Sequence, residues 1–162
     1  LGPGDVLGSS TSDIVDFMNK RVPMIPAGGL SFVDARDVAV AMAAAMTKGR
    51  PGEKYLLGAK NLTFDVFFGM LQRVSGVQGP TMKAPKSLLL AQAGAEIMER
   101  VSKRLNAESP IDRVSAEMAQ HFWYLDSSKA MREIDFSPRD AVETLSDTVA
   151  DLRARGVVWP AS

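Results

Sequence analysis

Short apolar runs alternate along this chain with stretches in which apolar residues recur every three or four positions. The runs at residues 30–33 and 54–57 predict two strands, the second one buried and ending at Gly58. Helical spacing follows each run, so we expect a helix after each strand. The pattern therefore predicts an α/β fold that is mostly helical and contains a few short strands.

The first strand meets the start of a helix that is expected to run to about Lys48. Asp34 is placed as its N-cap, and Asp37 lies in the first turn, where an acidic side chain favours the positive end of the helix. Capping explains this pair of carboxylates better than acid–base catalysis does. The face predicted to pack inward comprises Val38, Met42, Ala45 and Met46.

The next helix has equally clear boundaries. Thr63 is expected to cap it, Asp65 to support its first turn and Gly76 to end it. Neighbouring Phe67 and Phe68 resemble an aromatic binding box, but core packing is the simpler interpretation. The inward stripe is predicted to comprise Val66, Phe67, Met70, Leu71 and Val74.

The second half of the chain continues with an extended piece at residues 81–84, a long helix at 86–105 and a helix that begins at Ile111. Residues 121–125 predict a strand with alternating faces, and Asp126 or Ser127 is expected to cap the helix that follows. Ser137 is the predicted N-cap of the last helix, with Pro138 at its first position and its end near Gly156.

The composition excludes several classes of function. Nineteen basic and nineteen acidic residues balance, so no net field attracts nucleic acid or an anionic membrane. Cysteine is absent, which excludes disulfides, thiolate nucleophiles and Cys-type zinc sites within these residues. The most apolar run, residues 88–95, is far shorter than the roughly 20 residues of a membrane span. We expect a cytoplasmic protein.

Six short motifs carry a resemblance to a known family. They are Gly-Pro-Gly-Asp at 2–5, Phe-Val-Asp-x-Arg-Asp-Val-Ala at 32–39, Gly-Glu-Lys-Tyr-Leu-Leu-Gly at 52–58, Asn-Leu-Thr at 61–63, Asp-Ser-Ser-Lys-Ala at 126–130 and Ser-Pro-Arg at 137–139. In this order, they resemble the second half of extended short-chain dehydrogenase/reductases (SDRs), the NAD-dependent epimerase/dehydratase superfamily. The dihydroflavonol-4-reductase-like branch is the most similar.

The resemblance implies a fold for the chain and two parts within that fold. The chain would be the C-terminal part of a Rossmann-type extended SDR. Residues 1–80 would complete the Rossmann-type domain with insertions into the substrate lobe. Residues 81–162 would form the small substrate-binding lobe and the closing helices.

Two hallmarks of the family are absent from these residues. There is no Gly-x-x-Gly-x-x-Gly turn to hold a pyrophosphate, and no Tyr-x-x-x-Lys pair, because Tyr55 is followed four residues later by Ala59 and Tyr124 by Ser128. We therefore expect a missing N-terminal half of the same protein to bind most of the NADP or NAD. No catalytic residue is assigned to this chain.

The resemblance implies that the whole protein is an NAD(P)-dependent oxidoreductase that reduces a small-molecule carbonyl, and that it can form a homodimer. Two alternatives stay open. One is a nucleotide-sugar epimerase or dehydratase on the same frame. The other is a cofactor-binding protein of this type without catalysis.

Candidate site residues follow from the same comparison. Ser10, Thr11 and Ser12 crowd the start of a helix that continues through Ile14 and Met18, and the resemblance places them beside the cofactor; helix capping is the simpler reading. The candidate substrate-binding residues are Met24, Arg113, His121 and Trp123.

Three of the four substrate candidates have a structural alternative. Met24 could line a buried connection, and Arg113 could form a surface ion pair with a neighbouring acid. His121 could be a structural residue at a strand edge, and because it is the single histidine, a catalytic triad or a multi-histidine metal site cannot form within these residues. We expect no metal site.

Overall fold

The computed structural model describes residues 1–5, 9–84, 118 and 120–158. Within them the chain forms five helices and three strands, an α/β fold as predicted. In chain order they are α1 (Ser9–Met18), β1 (Gly29–Phe32), α2 (Ala35–Lys48), β2 (Lys60–Thr63), α3 (Phe64–Ser75), β3 (Phe122–Trp123), α4 (Ser128–Glu133) and α5 (Ala141–Ala154).

The central strand of the small sheet is β1. It pairs antiparallel with β2, where Gly29 faces Thr63, and parallel with β3, where Gly29 faces Phe122. A separate parallel bridge joins Ile25 to Lys83, which confirms the extended piece predicted at residues 81–84. The sheet is therefore mixed, and it brings β3 from far along the chain beside the first strand.

The main core lies between α1, α3, α5 and the sheet. Phe17 stacks on Phe68 with ring centroids 5.4 Å apart, and Phe32 meets Phe67 edge-on at 5.7 Å. Phe67 and Phe68 are buried, so their interpretation as core residues is confirmed. The fully buried aliphatic residues of this core are Ile14, Leu71, Leu145 and Leu152.

A smaller cluster packs under α2. Its buried members are Ala41, Ala130, Ile134 and Phe136, and Val33, Tyr55 and Leu57 pack against it. The predicted inward face of α2 is therefore wrong at Met42 and Met46, which are 64% and 88% exposed. The helix instead turns Asp37 and Ala41 inward.

Local capping signals located two helices correctly. Asp34 accepts a hydrogen bond from the Arg36 amide at the start of α2, and Thr63 accepts one from the Val66 amide at the start of α3. Gly76 ends α3 at φ +73°, a left-handed conformation that favours glycine. The predicted stripe of α3 is wrong at Val66, which is exposed because Phe68 turns inward in its place.

Two further predictions are wrong. Residues 54–57 form no strand, because their backbone amides have no ladder partner within the described part of the chain; the strand forms at β2 instead. The last helix begins after Asp140, which accepts a hydrogen bond from the Val142 amide. Ser137 does not cap this helix, because the backbone amide of Arg139, which lies between Ser137 and Asp140, donates to Asp37 on α2.

The remaining predicted elements of the second half are only partly described. The strand predicted at residues 121–125 is shorter, comprising β3 alone, and the helix after it is confirmed as α4. The helices predicted at 86–105 and from Ile111 lie outside the described residues. In the part of the chain that is described, no helix is both long and apolar enough to span a bilayer.

Candidate functional site

The junction between β1 and α2 is built on a buried carboxylate. Asp34 is fully buried and accepts hydrogen bonds from Arg36: the backbone amide at 2.8 Å, Nε at 2.9 Å and Nη2 at 2.7 Å. The same Nη2 donates to Asp147 on α5 at 2.7 Å. The hydrogen bonds from Arg36 hold the pKa of Asp34 down, from an ordinary 3.8 to about 2.

A second ion pair joins α2 to the segment that leads into α5. Arg139 donates to Asp37 through its backbone amide at 2.9 Å, and through Nε and Nη2 at 3.0 and 2.9 Å. Its pKa is raised, chiefly by these hydrogen bonds to Asp37. Asp34 and Asp37 are thus capping and clamping groups, and their full hydrogen bonding supports the structural interpretation over catalysis.

The first residues of the chain pass over this junction. The Leu1 nitrogen donates to the Val33 carbonyl at 2.9 Å, and the Ala35 amide donates to the Leu1 carbonyl at 2.7 Å. Gly2, at φ +142°, lies so close to Asp34 that an added Cβ would be 3.1 Å from Oδ1. The junction therefore fixes the loop that leads into α1.

The three hydroxyl residues predicted to face a cofactor lie in the first turns of α1. Thr11 is fully buried and its Oγ1 donates to Asp5 Oδ2 at 2.8 Å. Ser12 lies on the exposed side of the helix. Thr11 thus ties α1 to the loop at residues 2–5, and a carboxylate beside it disfavours an anion at that point.

An exposed aromatic segment is centred on β3. Phe122 and Trp123 are 56% and 52% exposed, and Tyr124 and Leu125 are exposed as well. His121 meets Trp123 edge-on with ring centroids 6.0 Å apart, while Phe122 meets Tyr124 at 5.4 Å. The strand therefore presents aromatic rings on both faces, with His121 and Trp123 together on one of them.

This aromatic segment is held by Met118 before the strand and by Asn61 on β2 after it. The Trp123 indole donates to the Met118 carbonyl at 3.0 Å. Beyond the strand, Asn61 on β2 donates to the Leu125 carbonyl at 3.0 Å and accepts from the Leu125 amide at 3.1 Å. Exposed aromatic rings held by fixed backbone make a preformed apolar surface.

Gly29 and Gly58 both contribute to the position of the aromatic segment. A Cβ on Gly29 would lie 2.8 Å from the Tyr124 ring and 2.7 Å from the Leu62 carbonyl. The Gly58 amide donates to Ser127 Oγ at 2.7 Å, and Ser127 Oγ donates back to the Gly58 carbonyl at 3.0 Å. Ser127 is therefore a tertiary latch, and Asp126 accepts from the Ser128 amide at the helix start instead.

The other predicted substrate residues are not brought to this segment. Met24 is half-buried in the loop before β1, next to Ile25 and its bridge to Lys83. Arg113 lies outside the described residues. A separate open groove of about 330 Å³ runs beside α1, with Phe17, Lys20, Pro23, Gly79 and Met82 among its lining residues.

A charged cluster fixes residues 53–55 against α4. Lys129 donates to Glu53 at 2.6 Å and to the Lys54 carbonyl at 2.9 Å, and lies 4.7 Å from the centre of the Tyr55 ring. The Tyr55 hydroxyl donates to Glu133 at 2.9 Å. The sequence offered no signal for these contacts, because the partners are more than 70 positions apart.

Acidic and histidine side chains do not gather into a metal site anywhere in the described ranges. The described site residues thus comprise a hydrogen-bonded clamp at the β1–α2 junction and an apolar surface at β3. Within the described residues, neither contains an activated nucleophile or a proton donor held by a base.

Comparisons with known proteins find relatives that the chain matches over about half of their length. A Synechocystis protein with the provisional name dihydroflavonol 4-reductase is 27% identical over 163 residues, covering 98% of this chain and 47% of its own length. Sterol demethylase protein B of Methylococcus capsulatus is 28% identical, covering 98% and 48%. No family profile matches the chain.

Solved structures give the same picture of the fold. The crystal structure of gox2253 has a TM-score of 0.77 and 29% identity, over 98% of this chain and 48% of that one. UDP-glucose 4-epimerase from Thermotoga maritima has a TM-score of 0.63 at 18% identity, and Bordetella bronchiseptica WbmF in complex with NAD+ has 0.63 at 17%. These last two likenesses show the fold alone.

The chain therefore has the fold of SDR-type epimerases and is similar in sequence to two curated proteins, one of them named as a dihydroflavonol 4-reductase. The predicted resemblance is confirmed. The chain spans about half the length of the curated relatives it matches, consistent with their C-terminal half.

Proposed function

We propose that this chain is the substrate-binding half of an NAD(P)-dependent oxidoreductase that reduces a small-molecule carbonyl. The observation that carries the proposal is the anchored aromatic segment at β3, in a chain with homologues among reductase-type proteins. Exposed rings on fixed backbone suit an apolar substrate, since aromatic surfaces bind apolar and ring-shaped groups at little entropic cost.

The division of chemistry follows from the residues present. A bound nicotinamide dinucleotide would supply the hydride, and its pyrophosphate would be held outside this chain, where the resemblance places the glycine-rich turn. His121 and Trp123 would pack against the substrate and exclude water from its carbonyl. The proton donor is expected in the other half.

The contribution of α1 to the cofactor is narrower than the sequence suggested. Thr11 is committed to Asp5, so it would act by positioning the helix. Ser10 and Ser12 stay proposed cofactor contacts, and Met24 and Arg113 stay proposed substrate contacts. The division at residue 80, homodimerisation and a cytoplasmic location are likewise proposals.

A nucleotide-sugar epimerase or dehydratase is the second candidate. Its support is the fold likeness to WbmF, whose crystal structures contain NAD+ and, in one, UDP. Such an enzyme would bind a nucleoside diphosphate, whereas the described aromatic segment consists of uncharged rings and a single histidine.

The test uses the longer protein that contains this chain. Tryptophan fluorescence is followed during titration with NADPH, with NADH and with UDP-glucose. The proposal predicts quenching by a nicotinamide dinucleotide and none by the nucleotide sugar. Saturable quenching by UDP-glucose would favour the epimerase, and no response to either dinucleotide would contradict both.

A further inference from the structure

The side chain of Asn61 acts as a backbone partner for the end of the aromatic segment. The pairing of β3 with β1 ends at Trp123, opposite Leu30. Two residues further on, Asn61 Nδ2 donates to the Leu125 carbonyl at 3.0 Å, and Asn61 Oδ1 accepts from the Leu125 amide at 3.1 Å. A carboxamide carries a donor and an acceptor in one plane, so it satisfies both backbone groups of one residue, as a neighbouring strand does.

This contact fixes the backbone that carries two exposed rings. Trp123 is held at one end by its pairing with β1, and Leu125 is held at the other end by Asn61. Tyr124 lies between them with its ring against Gly29. Because a single residue separates the two held positions, loss of either hold leaves the backbone around Tyr124 free to rotate, and the Trp123 ring moves with it.

A neighbouring side chain on the same face of the sheet makes no such contact. Ser31 on β1 is the register partner of Asn61, so the two side chains emerge side by side. The Ser31 hydroxyl oxygen is buried and has no hydrogen-bond partner within the described residues. Asn61, in contrast, binds a residue 64 positions away. Ser31 is therefore a matched control for Asn61.

We propose that Asn61 is a positioning residue that sets the specificity of the aromatic segment for carbonyl substrates that carry a ring. It acts through the Leu125 backbone and holds the Trp123 ring at the angle at which a substrate ring packs on it. This role rests on the proposed function, because it needs a substrate that contacts the aromatic segment. A carbonyl substrate without a ring has too little apolar surface to respond to the angle of the indole.

The test measures reduction of benzylacetone and of acetone by the longer protein that contains this chain, with the nicotinamide dinucleotide in excess. Asn61→Ala is expected to raise KM for benzylacetone about fivefold or more and to leave kcat within about twofold. Its kcat/KM for acetone should stay within about twofold of the parent value, which also shows that the variant is folded. Ser31→Ala should change none of these constants by more than about twofold.

A double-variant cycle shows whether Asn61 acts through the indole. In a Trp123→Ala background, Asn61→Ala should raise KM for benzylacetone by less than about twofold, because the ring that Asn61 positions is gone. An equal rise in KM with and without Trp123 would overturn the proposed role, since Asn61 would then act independently of that ring.

The remaining outcomes separate this role from the proposed function. An unchanged KM in Asn61→Ala, an equal rise in Ser31→Ala, or an equal loss for acetone would overturn the role of Asn61 alone. If the parent protein reduces neither ketone, the proposed function fails and the role of Asn61 fails with it.

Discussion

Arg139 donates three hydrogen bonds to Asp37, through its backbone amide, Nε and Nη2, although the two residues are 102 positions apart. The contact joins the first turn of α2 to Arg139, which lies two residues before the start of α5. Beside it, Arg36 bridges Asp34 to Asp147. The Asp-x-Arg-Asp motif and the Ser-Pro-Arg motif are therefore two halves of one clamp, which also supports the N-terminal loop.

The first prediction concerns this clamp. Asp37→Ala is expected to lower the free energy of unfolding by about 2–3 kcal/mol, because it removes hydrogen bonds from a charged partner and leaves Arg139 half-buried without them. Urea denaturation measures the change. Glu143→Ala is the matched control, since its exposed carboxylate lies 3.5 Å from the same guanidinium and should contribute less than about 1 kcal/mol. Equal losses in the two variants would contradict the clamp.

The second prediction concerns acid stability. The pKa of Asp34 is about 2 in the folded protein and 3.8 in its ordinary state, so the folded state binds this proton more weakly. Its contribution to stability is complete above the unfolded value and is lost as the pH falls from about 4 through about 2. Asp34→Asn should be less stable at neutral pH and show a shallower decline in that window. Parallel curves of unfolding free energy against pH would exclude this role.

The third prediction concerns two glycines in different surroundings. Gly29→Ala would press a methyl group against the Tyr124 ring and the Leu62 carbonyl, so it should displace the aromatic segment, destabilise the fold and shift the tryptophan emission. The methyl group of Gly69→Ala would meet no neighbouring atom on the exposed face of α3, so this variant should be more stable by about 0.5–1 kcal/mol. Thermal unfolding and fluorescence spectra measure both. Stabilisation of both alanine variants would contradict the close packing around Gly29.

The fourth prediction concerns the latch between Ser127 and Gly58. Ser127→Ala leaves the buried Gly58 amide without its acceptor and should cost about 1–3 kcal/mol. Thr47→Ala, which removes an exposed hydroxyl bonded to Ala44 within its own helix, should change stability by less than about 0.5 kcal/mol. Chemical denaturation compares the two, and a Ser127→Ala variant as stable as Thr47→Ala would remove the latch from the account.

The sequence predicted those parts of the fold that are encoded locally. Asp34 and Thr63 cap helices through amides two or three residues away, and both caps were readable from spacing. The same reasoning failed at Ser137, because Arg139 bonds to Asp37 and leaves Asp140 as the cap. The prediction that Met42 and Met46 face inward was also wrong. The face of α2 that packs inward is the one with Asp37, which binds Arg139.

The sequence likewise indicated the local pattern of the candidate site but not its distant contacts. The aromatic pattern of β3 was visible in the sequence, and the structure places His121 against Trp123. The anchoring of that segment through Asn61 and Ser127 was not visible, since both partners are more than 60 positions away. Residues 54–57 were read as a strand because their pattern suits one, yet no partner for them is present in the described residues.

We propose that this chain binds the substrate of a nicotinamide-dependent reductase. The most direct measurement is the loss of NADPH or NADH absorbance when the longer protein is mixed with small apolar aldehydes and ketones, alone and with Trp123→Ala. We predict turnover, a KM raised about tenfold or more by Trp123→Ala, no such effect of Val66→Ala on α3, and no turnover by the 162-residue chain by itself. Carbonyl reduction by the isolated chain, or an unchanged KM in the Trp123→Ala protein, would contradict the claim.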